Sequence, residues 1–350
     1  MEVRTFEGSP EELSDFVVKS WLKVYQGQML VPNWSADYLR WQLRLHEPNA
    51  SKRLIAAYSG TQLAGVLLFV PMDFNIHGQR VTGSHASWLS VDPEFKRQGT
   101  ARLLQEGTAR AHRELGLSGQ FGYVFYGSSA SQGPKFWLKK IPNLQIIRKV
   151  GFWTRVLDAH RAAAWNVNRL EGILSKLAAP IVFEPKVNTH PGLTIRSFQP
   201  ADLPRCLELA RKATQQCELK LDWNERTLGC QLQGFGQCLV AEEGGEVRGC
   251  IGFHVLPIHG RTLEPVGIID LVFVSELSPQ GRTELLNSVL LHLRQSGAVV
   301  ALKLRTGDYP SAFFVRWGWF WRPSDSLFIS NWSGEVPQLA PINQMHVLWR

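Results

Sequence analysis

Apolar positions along the chain switch between two periods. Leu13, Phe16, Val17, Trp21 and Val24 recur at helical spacing. Ser9-Pro10-Glu11-Glu12 before them is a helix start, with a Ser cap, Pro at the first helical position and Glu three residues after the Ser. Gly27 ends that helix, and a second one starts at Ser35 and carries Tyr38, Leu39, Trp41, Gln42 and Leu45. Period two governs the next stretch. Glu2 to Phe6 reads as a first strand, and Leu54 to Tyr58 with Gln62 to Met72 reads as a hairpin across Ser59-Gly60-Thr61. After the turn His77-Gly78, Arg80 to Val91 is a long strand. Asp92 to Gly99 is a turn-rich loop, and Thr100 to Leu115 is a helix with Leu103, Leu104, Thr108 and Ala111 on one face. Gln120 to Tyr126 is the next strand. Gly127-Ser128-Ser129 leads into a short helix containing Phe136-Trp137-Leu138, and a last strand runs from Val150 to about Leu157.

An Ala-rich helix is expected over 161–178, with Trp165, Leu170, Ile173, Leu174 and Leu177 along one side. Pro180, Pro185 and Pro191 interrupt the chain after it. Then the pattern restarts. Ile195-Arg196-Ser197-Phe198 echoes Val3-Arg4-Thr5-Phe6, and Leu239-Val240-Ala241…Gly249 echoes Ile55-Ala56-Ala57…Gly65. Ile258-His259-Gly260 echoes Ile76-His77-Gly78, Gln280-Gly281 echoes Gln98-Gly99, and Arg316-Trp317-Gly318-Trp319 echoes Lys149-Val150-Gly151-Phe152. The His-Gly and Gln-Gly pairs share an offset of 182 residues, so one fold is expected twice. The domains expected are 1–158, a linker over 159–190, and 191–350.

Composition narrows the function classes. The chain has 350 residues, 44% hydrophobic and 19% charged, which is ordinary for a globular protein of two domains. No apolar run approaches the ~20 residues of a membrane helix. The start, MEVRTFEGSPEE, is acidic and lacks the apolar core of a signal peptide. The five cysteines show no CxxC and no ligand spacing with His, so free thiols in a reducing cytoplasm are expected, and no metal. Of the net charge of +8, residues 1–158 hold 19 Lys/Arg against 13 Asp/Glu, and the rest 19 against 17. The excess lies on the half with the glycine loop. A polyphosphate ligand accounts for it, and no dense basic run with interleaved aromatics points to nucleic acid.

Strand, glycine loop and helix, in that order, aim backbone amides at an anion. The unpaired N–H groups of a first helical turn and the positive end of its dipole favour phosphate. Here the loop reads Lys96-Arg97-Gln98-Gly99-Thr100-Ala101, with Gly99 free to approach a ligand and two basic side chains beside it. This stretch resembles motif A of the GNAT superfamily of acyl-CoA-dependent N-acyltransferases, written Arg/Gln-x-x-Gly-x-Gly/Ala. The departure is Lys at the first position with Arg one place later. The order of elements over residues 1–158 is similar to the GNAT order throughout.

The resemblance implies an α/β (α+β) fold of two tandem GNAT-like domains, each a mixed, mostly antiparallel sheet flanked by helices. It implies acetyl-CoA or coenzyme A as acyl donor, with Leu89 and Val91 pairing to the pantetheine arm. Lys96, Arg97, Gln98, Gly99, Thr100 and Ala101 would take the pyrophosphate. The implied reaction is direct attack of an amine, on a small molecule or a peptide N-terminus, on the thioester in a ternary complex. Candidates for the catalytic groups are His85, on the strand leading to the loop and with a side-chain pKa suited to a base, Asp73, at the end of the preceding strand, and Tyr126 as acid. Period-two alternation puts His85 on the same face as Val91, ~20 Å away. Trp137 stands where the family often has a Tyr acid, with Ser129 and Ser131 as substitutes. Trp21, Tyr25, Trp34 and Trp41 lie where GNAT enzymes build acceptor pockets. In the second copy Ser278-Pro279-Gln280-Gly281-Arg282-Thr283 replaces the loop, and Pro279 removes one N–H from the cradle. That copy is expected to be degenerate, as in tandem arrangements similar to mycothiol synthase or N-myristoyltransferase. The expected activity is N-acetyl transfer in the cytoplasm. Transfer of a longer acyl group and a non-catalytic CoA-binding regulator are the alternatives.

Overall fold

The computed structural model describes residues 1–350 apart from 169, 170, 174, 175, 177–183, 189 and 317. Leu170, Leu174, Leu177, Pro180 and Trp317, named above from the sequence, lie outside the described residues. The chain forms two compact units, one of residues 1–150, 324–342 and 350, the other of residues 151–323 and 343–349. The change of unit therefore falls at Gly151 rather than after residue 158, and the chain returns to the first unit at Ser324.

In the first unit Glu2–Thr5 (β1), Leu54–Ser59 (β2), Gln62–Ile76 (β3), Gln79–Val91 (β4), Gly119–Phe125 (β5) and Leu144–Val150 (β6) share one sheet with Ser326–Trp332. Their order is β1-β2-β3-β4-β5, then Ser326–Trp332, then β6. All neighbours run antiparallel except β4 and β5, which are parallel. The strand expected to close this domain, Val150 to Leu157, is divided at Gly151. Leu144–Val150 stays here, while Phe152–Val156 pairs with Val300–Leu304 in the second unit. The place between β5 and β6 goes to Ser326–Trp332. Local patterning cannot reveal this, because it carries no information about which distant strand a segment pairs with. The β3–β4 hairpin closes on His77 and Gly78, both at positive φ, the requirement of a two-residue type I′ turn.

Helices cover both faces. Pro10–Tyr25 (α1) begins with the capping box read from sequence, Ser9 and Glu12 bonding reciprocally. Ala36–Gln42 (α2) is capped by Ser35. Thr100–Glu114 (α3) follows β4 and lays Leu104 and Ala111 on Ile55, Ala57, Leu67 and Phe69 of the sheet. Leu104 is fully buried, so its truncation to Ala should cost ~2–5 kcal/mol. Gly65 makes the contact close: a Cβ there would lie 2.9 Å from the Ser90 carbonyl and 3.2 Å from Thr100 Cγ2. Gly133–Lys140 (α4) follows β5 and presents Trp137 to Val124, Leu327 and Ile329.

The second unit repeats the plan. Its strands lie in the order Phe320–Trp321, Phe152–Val156, Val300–Leu304, Leu263–Phe273, Glu246–His259, Gln237–Glu243, Leu193–Ser197. Here too one pair is parallel, Leu263–Phe273 with Val300–Leu304. The helix Pro279–Gln295 buries Leu285, Leu286, Val289, Leu290 and Leu293 against it. Each sheet is thus mixed and mostly antiparallel with flanking helices, the α+β class expected. The helix expected over 161–178 is interrupted: Ala159–Trp165 ends at Asn166, whose side-chain oxygen accepts from the Asn168 amide and whose amide nitrogen donates to Glu171, and residues 171–173 and 176 are helical again. A local Asx turn outcompetes helix continuation there.

Candidate active site

The site begins with a break in the sheet. Parallel pairing between β4 and β5 covers only Gly83 with Gly119, Ser84 with Gln120 and His85 with Phe121. Past His85 the two strands have no further ladder, so a wedge opens between their carboxyl ends. That is where a parallel pair offers a ligand unpaired backbone. Just beyond the vertex β4 bulges. Val66 pairs with Ser90 and Leu68 with Ser87, so Trp88 and Leu89 together face Leu67 alone. Trp88 takes φ 59°, a left-handed conformation costly for a bulky residue and typical of a functional constraint.

The bulge shifts the side-chain alternation by one. Before it, Ser84 and Ala86 face α3; after it, Leu89 and Val91 do. Ser90 faces the other way and accepts from Trp21 Nε1 of α1 at 2.9 Å. His85 and Val91 therefore lie on opposite faces. The expectation of a shared face fails because uninterrupted period two was assumed.

At the lip of the wedge sits the loop from Lys96 to Ala101. Lys96, Arg97, Gln98 and Gly99 are exposed. Gly99 caps α3 at φ 82°, and no side chain caps the first turn. The leading amides of α3 are thereby left for an outside acceptor. A Cβ on Gly99 would meet nothing within 4 Å, so the space over the cap is open. Arg97 is also left-handed, at φ 62°. Thr100 Oγ1 donates to the Phe95 carbonyl and Gln98 Nε2 to that of Glu94, which pins the loop from below. Asp92 caps the turn before it and pairs with Lys23 at 2.9 Å. Burial works to raise the Asp92 carboxyl, but the Glu94 amide and the Lys23 ammonium outweigh it and hold the group below its usual range.

The three catalytic candidates are not brought together. His85 stands at the vertex, 1% exposed, and its Nε2 has no hydrogen-bond partner among the described residues. Burial, helped by the charge of Arg350, pushes its pKa down to about 3. It is thus a neutral imidazole with almost no basicity at neutral pH, and the match to a base titrating near pH 6–7 does not survive burial. Asp73 pairs with Arg80 at 2.8 Å near the far end of the hairpin. Its ladder partner Thr82 is nine residues from Val91, roughly 30 Å along the strand. Tyr126 donates its hydroxyl to the Ser324 carbonyl at 2.7 Å, which fixes the ring beside α4. Ser131 is committed likewise, to the Phe125 carbonyl at 2.6 Å, while Ser129 is exposed.

The lining of the wedge opposite α3 is aromatic. Trp21 packs edge-on against Tyr25 and Trp34 with centroids 5.3 and 5.0 Å away, and Tyr38 against Trp41 and Trp88 at 5.9 and 6.4 Å. Trp88 and Ser90 were missed as site residues. A bulge can be located only once the register with β3 is known. A separate groove of about 480 Å³ lies at β1 and the start of α1, and none of its lining residues comes from β4, β5 or the 96–101 loop. We place the site at the wedge because an unpaired strand pair and an uncapped helix meet there.

The two-unit arrangement, the splayed parallel pair and the glycine-capped helix define a GNAT-type fold. The chain is similar to Saccharomyces cerevisiae N-myristoyltransferase with bound myristoyl-CoA, at a TM-score of 0.74 and 13% identity over 95% of this chain and 82% of that one. It is also similar to a GCN5-related N-acetyltransferase from Anabaena variabilis, at a TM-score of 0.55 and 14% identity over 95% and 73% of the two chains. A probable N-acyltransferase from Enterococcus faecalis gives 0.54 and 10%, over 95% and 72%. No protein-family model and no curated protein sequence matches the chain. At these identities the likeness carries the fold and not the activity.

Proposed function

We propose that the chain is an acyl-CoA-dependent N-acyltransferase whose donor binds the first unit. The observation that carries this reading is the uncapped first turn of α3 at the mouth of the β4–β5 wedge. The amides of Arg97 to Ala101 hold the pyrophosphate, and Lys96 and Arg97 add charge. The backbone of Leu89 and Val91, freed from the β5 ladder, pairs with the pantetheine arm. The thioester then reaches the bulge at Trp88, whose displaced amides are donors for an oxyanion.

The amine nitrogen attacks the thioester carbon, the new C–N bond forms, and the carbonyl oxygen takes the negative charge. The C–S bond then breaks, and the leaving thiolate gains the proton that the nitrogen gives up. None of the side chains expected to move that proton is poised for it, so transfer passes through water in the wedge. The acceptor is an amine on a small molecule or a peptide. Acetyl is the first reading for the acyl group. A longer chain is the second, supported by the likeness to a myristoyltransferase structure.

The test has two arms. Native mass spectrometry of the purified chain should find CoA or an acyl-CoA bound, and a thiol-release screen of acetyl-CoA against amines and peptide N-termini should find turnover. Binding without turnover on any amine would favour a CoA-binding regulator. Absence of both would end the acyltransferase reading.

A further inference from the structure

Resting on the acyl-CoA reading, we infer that the aromatic rings at the vertex of the β4–β5 wedge set the length of the acyl group, and that they admit only short chains.

The wedge is closed at its narrow end by side chains on the face opposite α3. His85, the last β4 residue in the ladder, lies against the ring of Tyr123 at 5.5 Å. Tyr123 contacts Phe328 at 5.1 Å, and Phe328 stacks on Phe121 at 6.1 Å with an interplanar angle of 18°. Phe121 in turn meets Phe74 at 4.1 Å and Trp332 at 5.7 Å. Phe74, Phe121 and Phe328 have no exposed surface, so this stack is a filled layer. The face toward α3 is closed as well. Gln105 and Gln120 bond to each other at 2.7 and 3.3 Å, and Ser84 bonds to His112 at 3.0 Å.

A thioester at the bulge would point its acyl group toward this vertex. Trp88 and His85 are only three steps apart along the strand, a depth of ~10 Å. An acetyl group fits that depth. A long alkyl chain would have to displace packed rings, and a close-packed, fully buried layer resists such displacement. Tyr123 is the adjustable member, since it is half-buried while the rings behind it are fully enclosed. The polar pairs on the α3 face add a second penalty for alkyl groups, because apolar atoms would separate buried amides from their partners.

The experiment is a calorimetric series with CoA, acetyl-, butyryl-, octanoyl- and myristoyl-CoA on the full chain and on Tyr123→Ala. In the wild type, octanoyl-CoA should bind at least tenfold more weakly than acetyl-CoA. In Tyr123→Ala the ratio should shift toward octanoyl-CoA at least tenfold. Should that variant fail to fold, Tyr123→Leu, which removes less volume, should shift the ratio in the same direction. Octanoyl- or myristoyl-CoA binding to the wild type as tightly as acetyl-CoA would overturn the inference and leave the acyl-CoA reading standing. So would an unchanged ratio in a folded variant. Failure of CoA and every thioester to bind would overturn both.

Discussion

The two helix N-termini that occupy equivalent places, at Thr100 and at Pro279, have opposite fates. At α3 the cap is Gly99, left-handed, exposed and without a side-chain hydrogen bond to the first turn. At Pro279–Gln295 the cap is Ser278, whose Oγ accepts from the Gly281 amide at 3.0 Å. Glu243 then closes the site, its carboxylate accepting from the Ser278 amide at 3.0 Å and the Ser278 hydroxyl at 2.5 Å. A Cβ on Gly281 would overlap that carboxylate. The second copy thus carries its own anion where the first leaves room for one. Pro279, read from sequence as the lesion, is the smaller part of the difference. A proline at the first helical position removes a donor that is an orphan in any case. The larger part is the negative charge already seated there, which disfavours a second anion. An anion-binding fold can be silenced by capping as well as by losing its glycine.

The largest break in this comparison should come from Gly99→Gln. The substitution adds a side chain where the cap is open and forces a left-handed conformation that costs ~1–2 kcal/mol per residue. CoA affinity should drop at least 30-fold by calorimetry, with the far-ultraviolet spectrum unchanged. Unaltered affinity in the folded variant would remove the loop from the site. The reciprocal change, Glu243→Gln, should leave CoA affinity within twofold, because this carboxylate caps the other helix, away from the proposed loop. It should lower unfolding free energy by ~0.5–2 kcal/mol, the worth of a charged cap, measurable in urea.

Salt sharpens the comparison further. Lys96 and Arg97 are exposed, and charges beyond ~10 Å are screened at 0.1 M salt. CoA dissociation constants should rise several-fold from 0.02 to 0.5 M salt. Constants that hold steady would leave the amides as the whole of the phosphate site.

The last effect concerns pH and two buried histidines of the first unit. Burial pushes His112 down to about 4, and burial with the Arg350 charge pushes His85 to about 3. Both values lie below the ~6.5 of an unfolded chain, so between them the unfolded state binds more protons than the folded one. Stability should be flat above pH 6.5 and fall as the pH drops below it. Each group contributes a slope of ~1.4 kcal/mol per pH unit until its folded pKa is reached. His85→Gln should lower that slope between pH 6 and 4.5. An identical slope in the variant would mean that His85 protonates in the folded chain.

Much of this was legible before any coordinate. Period three-to-four apolar spacing gave α1, α2 and α3, and the Ser9–Glu12 box and the His77-Gly78 turn formed as their local chemistry dictates. The glycine loop was readable because its signal is contiguous. Three things were not. Pairing of Ser326–Trp332 between β5 and β6 depends on partners some 200 residues away in sequence. The bulge at Trp88 depends on register against β3, and it reversed the face assigned to Val91 relative to His85. The environments of His85, Asp73 and Tyr126 depend on tertiary burial and pairing: a vertex that excludes water, an arginine across the hairpin, and a carbonyl at Ser324. Residue type suggested chemistry for each, and surroundings decided otherwise.

The contrast between the two caps is tested most directly by amide hydrogen exchange with and without saturating CoA. Binding at the open cap should slow exchange in peptides covering Val91 to Leu104 and leave those covering Ser275 to Leu286 unchanged. Slowed exchange over Ser275 to Leu286, or no change over Val91 to Leu104 while CoA is bound, would contradict the account.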